Sequence, residues 1–205
     1  MGNVEISVVM FDLGNVLVDL GDVSQMHGML NTQGEESDVW LKWLNSSSVI
    51  AFDSGLITFD EFALRLPKEV GSQVDKEVFK MAFKAWPKGL FSGALDLVKS
   101  VKPQYHRAIL SNTNAAHWPR LMNEMGLSGL FHSYFASHMI AAVKPDRAIY
   151  EYALKSLQVI PESVLFIDDN QVNIEMARTL GMNAHRVKGI EEARAVLSSY
   201  HVLAE

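Results

Sequence analysis

The sequence predicts an α/β protein: a Rossmann-like parallel sheet covered by helices on both faces, with a helical cap inserted after the first strand. Three observations carry that expectation. Apolar runs without a polar break occur at residues 8–11, 108–110 and 164–167, the composition of strands buried on both faces. From Phe91 onward such runs alternate with apolar residues at helical spacing, the pattern of βαβ units. Residues 22–87 carry helical stripes and no strand-like run.

The first strand is the apolar run of residues 6–11, broken only by Ser7 and ended by Asp12 and a turn with Gly14. Leu17-Val18-Asp19-Leu20 reads as a short arm leaving the sheet. In the inserted segment, Val39, Trp40, Trp43 and Leu44 make one stripe, and Val78, Phe79, Ala82, Phe83 and Trp86 another. These read as the segment's own small core rather than a cofactor pocket. Phe52-Asp53-Ser54-Gly55 reads as a turn. Thr58-Phe59-Asp60-Glu61 has the form of a capping box, so a helix is expected to start there and stop before Pro67.

Beyond the insertion, a helix over 93–101 precedes the strand at 108–110, which ends in Ser111-Asn112-Thr113-Asn114. A further helix is expected to reach Met125, with Gly126 as its stop. Tyr134-Phe135-Ala136 is a brief strand, and Val143-Lys144-Pro145-Asp146 opens another helix. The strand at 164–167 ends in Asp168-Asp169-Asn170, followed by a helix to about Gly181, a strand over 184–187 and a helix over 191–199. Right-handed crossovers place all these strand ends on one edge. The expected division is a core domain of residues 1–17 and 91–205 and a helical cap of residues 18–90.

Composition narrows the function. At 205 residues the chain supports one core with a modest insertion. A net charge of −6 argues against nucleic acid or an anionic membrane surface as partner. An anionic substrate therefore needs a local cation, either a metal or a placed lysine. Cysteine is absent, which excludes disulfides, thiolate catalysis and zinc–thiolate sites. No membrane span or signal peptide is read, so a cytoplasmic location is the default expectation.

Three strands finish in polar residues on the common edge: Asp12, Ser111-Asn112 and Asp168-Asp169, with Lys144 opening a helix that faces it. Ligands of open α/β sheets bind at that edge. Adjacent carboxylates with a third nearby repel one another unless a cation sits among them. Oxygen donors suit a hard ion such as Mg²⁺. A helix cap plus a first-turn acid explains one of the paired aspartates well and two only partly.

Asp12-Leu13-Gly14-Asn15-Val16-Leu17, Ser111-Asn112, Lys144-Pro145 and Asp168-Asp169 resemble the four ordered motifs of the haloacid dehalogenase-like (HAD) superfamily. The insertion lies where that superfamily carries its cap. Within the superfamily the phrases are most similar to bacterial sugar phosphatases of the α-D-glucose-1-phosphate phosphatase type, and more distantly to the phosphatase domain of soluble epoxide hydrolase. The resemblance implies a Mg²⁺-dependent phosphatase acting on a small phosphorylated metabolite. Asp12 is then the nucleophile, forming an aspartyl-phosphate. Asp12, the Gly14 carbonyl and Asp169 hold the metal, with Asp168 ligating directly or through water. Ser111 and the Asn112 amide grip the phosphoryl group, Lys144 stabilises Asp12 and the developing charge, and Asn173 supports the metal loop or simply faces solvent.

One residue departs from the pattern. Phosphatases of the superfamily usually carry a second Asp, the general acid/base, where this chain has Gly14. His117, Asp19 and cap residues are the alternative proton sources, although a surface role is the simpler reading for each. The missing acid keeps two other readings open, a metal-independent dehalogenase and a catalytically idle HAD-like binding domain. The acidic pair argues against the dehalogenase, whose class does not keep it. Oligomeric state is not legible in the sequence.

Overall fold

A computed structural model describes residues 4–21, 24–30, 42–43 and 45–204. The chain opens with β1 (Val8–Phe11), leaves the sheet through β2 (Val18–Asp19), and runs through helices α1 (Ser24–Leu30), α2 (Ser47–Asp53), α3 (Phe59–Glu69) and α4 (Lys76–Ala85). It returns along β3 (Gly89–Leu90), which pairs antiparallel with β2. Then follow α5 (Ala94–Ser100), β4 (His106–Ser111), β5 (Ser133–Ala136), α6 (Ser137–Ile140) and α7 (Arg147–Leu157). The chain ends with β6 (Val164–Asp168), α8 (Gln171–Thr179), β7 (Asn183–Arg186) and α9 (Gly189–Ser199). The expected parallel sheet is present, in the order β5-β4-β1-β6-β7 with β1 at its centre.

The apolar runs are continuous because successive residues serve opposite faces. Val9, Phe11, Ile109, Leu165 and Ile167 pack with Leu97 and Val98 of α5 and Ala193 and Leu197 of α9. Val8, Met10, Ala108, Leu110, Val164 and Phe166 pack on the other side with α7 and α8. Helices therefore cover both faces, and a strand residue on either side is buried. Each fully buried side chain of this size contributes about 1.5–3 kcal/mol.

A third cluster lies within the inserted segment. Trp43, Phe52, Phe62, Leu66, Phe79 and Phe83 form it, with Phe52 and Phe62 stacked at 4.5 Å. Of the two expected stripes, Trp43, Phe79 and Phe83 are buried, while Val78 is half exposed at 52%. Val39, Trp40 and Leu44 lie outside the described residues.

Local expectations differ from the structure in three places. The capping box at Thr58 and Glu61 is formed, but α3 runs through Pro67 instead of stopping before it. Near a helix end the missing N–H costs only one bond, the one to the Ala63 carbonyl, and Val70 N still donates to Leu66 O at 3.1 Å. The residues read as a turn at 52–55 begin inside α2, which ends at Asp53. The helix expected up to Met125 is instead a turn followed by a π-helical turn, Arg120–Glu124. There Asn114 Oδ1 accepts from the amides of Ala116 and His117, as a helix N-cap does, and Pro119 has no N–H to give. Among the described residues no helix is long and apolar enough to cross a membrane.

Candidate active site

Register brings the polar strand ends together. Phe11 pairs with Ile109 on one side and Ile167 on the other, so Asp12, one residue on, is level with Asp168. The Asp12 amide donates to Ile167 O at 2.9 Å, which holds the end of β1 against β6. Asp12 is 7% exposed and Asp168 is fully buried.

Lys144 lies between them. Its Nζ is 2.8 Å from Asp12 Oδ1 and 2.5 Å from Asp168 Oδ2. The lysine is placed by β4: Asn112 Nδ2 donates to Lys144 O at 2.9 Å, and Lys144 N donates to Asn112 Oδ1 at 2.7 Å. The Asn112 side chain thus positions the lysine. Ser111, at the end of β4, lines the site, and its hydroxyl has no hydrogen-bond partner among the described residues.

Asp168 is fully engaged. Its Oδ1 accepts from the Asn170 amide and from Asn173 Nδ2, and its Oδ2 from Lys144 and the same Asn173 nitrogen. Asn173 is therefore a buried support for Asp168, not a solvent-facing helix residue. Asp169 is freer: its Oδ2 accepts from Asn15 Nδ2 at 3.0 Å. Asn15 adopts a left-handed φ of 53°, a conformation Asn tolerates better than most residues. No role was read for Asn15 in the sequence, and the only signal was its place after Gly14.

The electrostatics of the cluster are unbalanced. One atom from each of Asp12, Asp168 and Asp169 can be chosen so that all three lie within 4.8 Å of one another. Burial, with Asp168 and Asp169 beside it, pushes the Asp12 carboxyl up to about 7 against the pull of Lys144. Burial also raises Asp169, against the Asn15 hydrogen bond. Burial draws the Lys144 ammonium down, but Asp12 and Asp168 outweigh it and hold it above its ordinary value. Three carboxylates against one ammonium leave room for a hard cation, and the donor set is all oxygen. The residues fit a magnesium ion.

Of the two suggested proton sources, His117 lines the cavity and Asp19 does not. His117 is buried at 8% exposure, its ring stacked on Phe83 at 4.3 Å and its Nε2 2.7 Å from Phe83 O. Burial holds its imidazole down at about 4, so it is neutral. Its place is the seam between core and insertion, not the surface. Asp19 Oδ1 accepts from the Gly21 amide at 2.7 Å, and Asp19 does not line the site.

A cavity of about 540 Å³ opens over the strand ends, within the range of small-molecule sites. Asp12, Ser111, Asn112, Lys144 and Asp169 line it from the sheet side, and Trp43, Asp53, Phe83 and Trp86 from the insertion. The aromatic stripes therefore make both a core and one wall of the cavity.

A parallel sheet with a lysine clamped between strand-end aspartates defines a hydrolase site of the HAD kind. The sequence profile of the haloacid dehalogenase-like hydrolases matches residues 6–181, and the chain belongs to that family. It is 26% identical over 180 residues to D-ribitol-5-phosphate phosphatase of Bacteroides thetaiotaomicron, covering 84% of this chain and 87% of that protein. It is 28% identical over 191 residues to a phosphatase of Mycobacterium tuberculosis, covering 89% and 87%. Its fold matches that of a HAD family enzyme from Bacteroides thetaiotaomicron with a TM-score of 0.78 at 22% identity, over 94% of this chain and 98% of that one. A structure of that enzyme with magnesium and inorganic phosphate matches with a TM-score of 0.73 at 22% identity, over 89% and 94%.

Proposed function

We propose that this protein is a Mg²⁺-dependent phosphatase of a small phosphorylated metabolite, working through an aspartyl-phosphate on Asp12. The observation that carries the reading is the convergence of Asp12, Asp168 and Asp169 around Lys144 at the edge of the sheet. A dehalogenase has no use for this excess of carboxylates, and an idle domain has no reason to bear their repulsion. The phosphatase relatives point the same way.

In this reading Asp12 Oδ attacks phosphorus, and the ester oxygen departs with its electron pair. Asp12, Asp169 and the Gly14 carbonyl would hold Mg²⁺, with Asp168 beside them directly or through water. Bound there, the metal would supply positive charge against a phosphate that would otherwise repel Asp12. Lys144 pulls Asp12 toward its ionised form and stabilises the transferring group, with Ser111 and the Asn112 amide beside it. Residues 18–90 serve as the cap, joined to the core of residues 1–17 and 91–205 through the β2–β3 pair, and their aromatic wall keeps water from Asp12.

Hydrolysis of p-nitrophenyl phosphate, lost in EDTA and restored by Mg²⁺, is the expected result. Full activity in EDTA would instead remove the metal from the mechanism, and no activity in either condition would favour the dehalogenase or the idle domain. Asp169→Asn should raise the Mg²⁺ concentration for half-maximal rate by about 10–100-fold, the scale of lost metal-site support. An unchanged metal requirement in that variant would remove Asp169 from the site.

Gly14 shapes the kinetics. Its φ is not positive, and a Cβ there would lie 2.9 Å from Leu20 Cδ1 and 4.0 Å from Asp12 Oδ2. The near atom is the end of a flexible side chain, so Leu20 can give way. With no acid at position 14, the rate should fall steeply as the leaving group becomes more basic, from p-nitrophenyl through anomeric sugar to alkyl phosphates. Gly14→Asp should raise turnover of alkyl phosphates by about 10²-fold or more, with little change for p-nitrophenyl phosphate. A flat leaving-group dependence in the unmutated protein would mean that another residue supplies the proton.

A further inference from the structure

Asp53 ends α2 of the inserted segment and lines the cavity opposite the strand ends. Its setting is unfavourable by every structural measure. An acid in the last turn of a helix opposes the helix dipole. Burial pushes its carboxyl up to about 6, with the Asn114 hydrogen bond pulling the other way. No lysine, arginine or histidine pairs with it among the described residues.

One contact fixes it. Asn114 Nδ2 donates to Asp53 Oδ1 at 3.0 Å, across 61 residues of chain and across the seam between core and insertion. Asn114 cannot turn its amide over, because its Oδ1 already accepts from the Ala116 and His117 amides at 3.2 and 3.1 Å. The Asp53 carboxylate is thus held by one oxygen. The other, Oδ2, accepts no hydrogen bond among the described residues. Facing the cavity and accepting nothing from the protein, that oxygen is open to a donor on a ligand.

We propose that Asp53 is the specificity residue of this site: its free oxygen accepts a hydrogen bond from a hydroxyl on the leaving group. The substrate is then the phosphate monoester of a polyhydroxylated chain, a sugar or alditol, with no carboxylate at the cap end. This deepens the phosphatase reading and rests on it. Asn114 acts through Asp53 as a positioning residue. A second carboxylate on the substrate is disfavoured, since Asp53 meets it at one end of the cavity and Asp12 and Asp169 at the other. A leaving group that is only alkyl leaves the Asp53 oxygen desolvated and unpaired, and a site built around a hydroxyl rejects such an analogue strongly.

The test compares a pentitol 5-phosphate with n-pentyl phosphate in the unmutated protein and in Asp53 variants, so that the less basic pentitol leaving group cancels, with p-nitrophenyl phosphate as the hydroxyl-free reference. In the unmutated protein kcat/KM should favour the pentitol ester at least about tenfold, the scale of a hydrogen bond to a charged acceptor. Asp53→Asn keeps the shape and the Asn114 contact but turns a donor toward the ligand. It should weaken that preference, since a hydroxyl can accept from an amide but loses the charged acceptor, and should lower kcat/KM for p-nitrophenyl phosphate less than for the pentitol ester. Asp53→Ala, which offers the ligand no polar atom, should erase it, and thermal melting of both variants confirms folding.

A preference that survives both substitutions overturns the assignment. So does a parallel loss on p-nitrophenyl phosphate, which would make Asp53 a cap-closing contact only. Phosphoethanolamine outrunning the pentitol ester would replace hydroxyl by ammonium and also overturn it. Failure of the unmutated protein on p-nitrophenyl phosphate itself is a different result, and sinks the phosphatase reading on which the assignment rests.

Discussion

Asp12→Asn should lower kcat by at least about 10⁴-fold on every phosphate ester, the scale of losing a catalytic nucleophile. The amide is nearly isosteric with the carboxylate and has no anionic oxygen to attack phosphorus. The fold should survive, because Lys144 keeps Asp168 at 2.5 Å and β1 keeps its register. In EDTA the variant should even melt higher at pH 8. Burial and the neighbouring carboxylates push Asp12 from 3.8 up to about 7 in the folded protein. A group whose folded pKa is raised binds its proton more tightly when folded, so its contribution to stability falls as pH rises from about 3.8 to about 7. The neutral amide escapes that loss, and the gain in melting temperature should grow across this window. Mass spectrometry after a brief pulse of p-nitrophenyl phosphate should find the Asp12 peptide phosphorylated in the unmutated protein and unmodified in the variant. Near-normal turnover in Asp12→Asn with native circular dichroism would remove Asp12 from the mechanism.

Lys144→Met carries the largest expected cost in stability. The Lys144 side chain is 1% exposed and is the shared cation of two buried carboxylates. Removing one partner of a buried ion pair typically costs about 3–5 kcal/mol, because the charge left behind is neither solvated nor paired. Methionine fills the volume, so the loss reports charge rather than a cavity. Urea denaturation in EDTA should show it, with a larger deficit at pH 8 than at pH 5. The sign follows from Asp12: without the lysine's pull its carboxyl folds most easily when protonated, and protonation is lost as pH rises. Saturating Mg²⁺ should restore part of the stability but not the rate, since the ammonium also faces the transferring group. A variant as stable as the parent at pH 8 would contradict the ion-pair geometry.

The frame of this protein is legible without coordinates because its signals are local. Apolar runs of three or four residues read as strands buried on both faces, and stripes at helical spacing as helices that cover them. Right-handed crossovers then bring every strand end to one edge, so Asp12, Ser111, Asn112, Lys144, Asp168 and Asp169 could be gathered from one sequence. Asn15, Asn114 and Asp53 could not, because each acquires its meaning from a partner distant in the chain: Asp169 for Asn15, and the two ends of one hydrogen bond for the others. The same holds for Asn173, whose solvent-facing and buried roles look identical until Asp168 is placed above it.

Tertiary structure also decided how far local rules could bend. Pro67 sits inside α3 because a helix end forfeits one bond there. His117 was read as a surface residue, yet packing against Phe83 makes it a neutral prop of the seam. The sequence by itself determined which residues end the strands, since burial on two faces admits few compositions. Only the fold decided which of those polar ends meet and which remain open to a ligand, because hydrogen-bond partners are set by register and by loops whose closure no local pattern encodes.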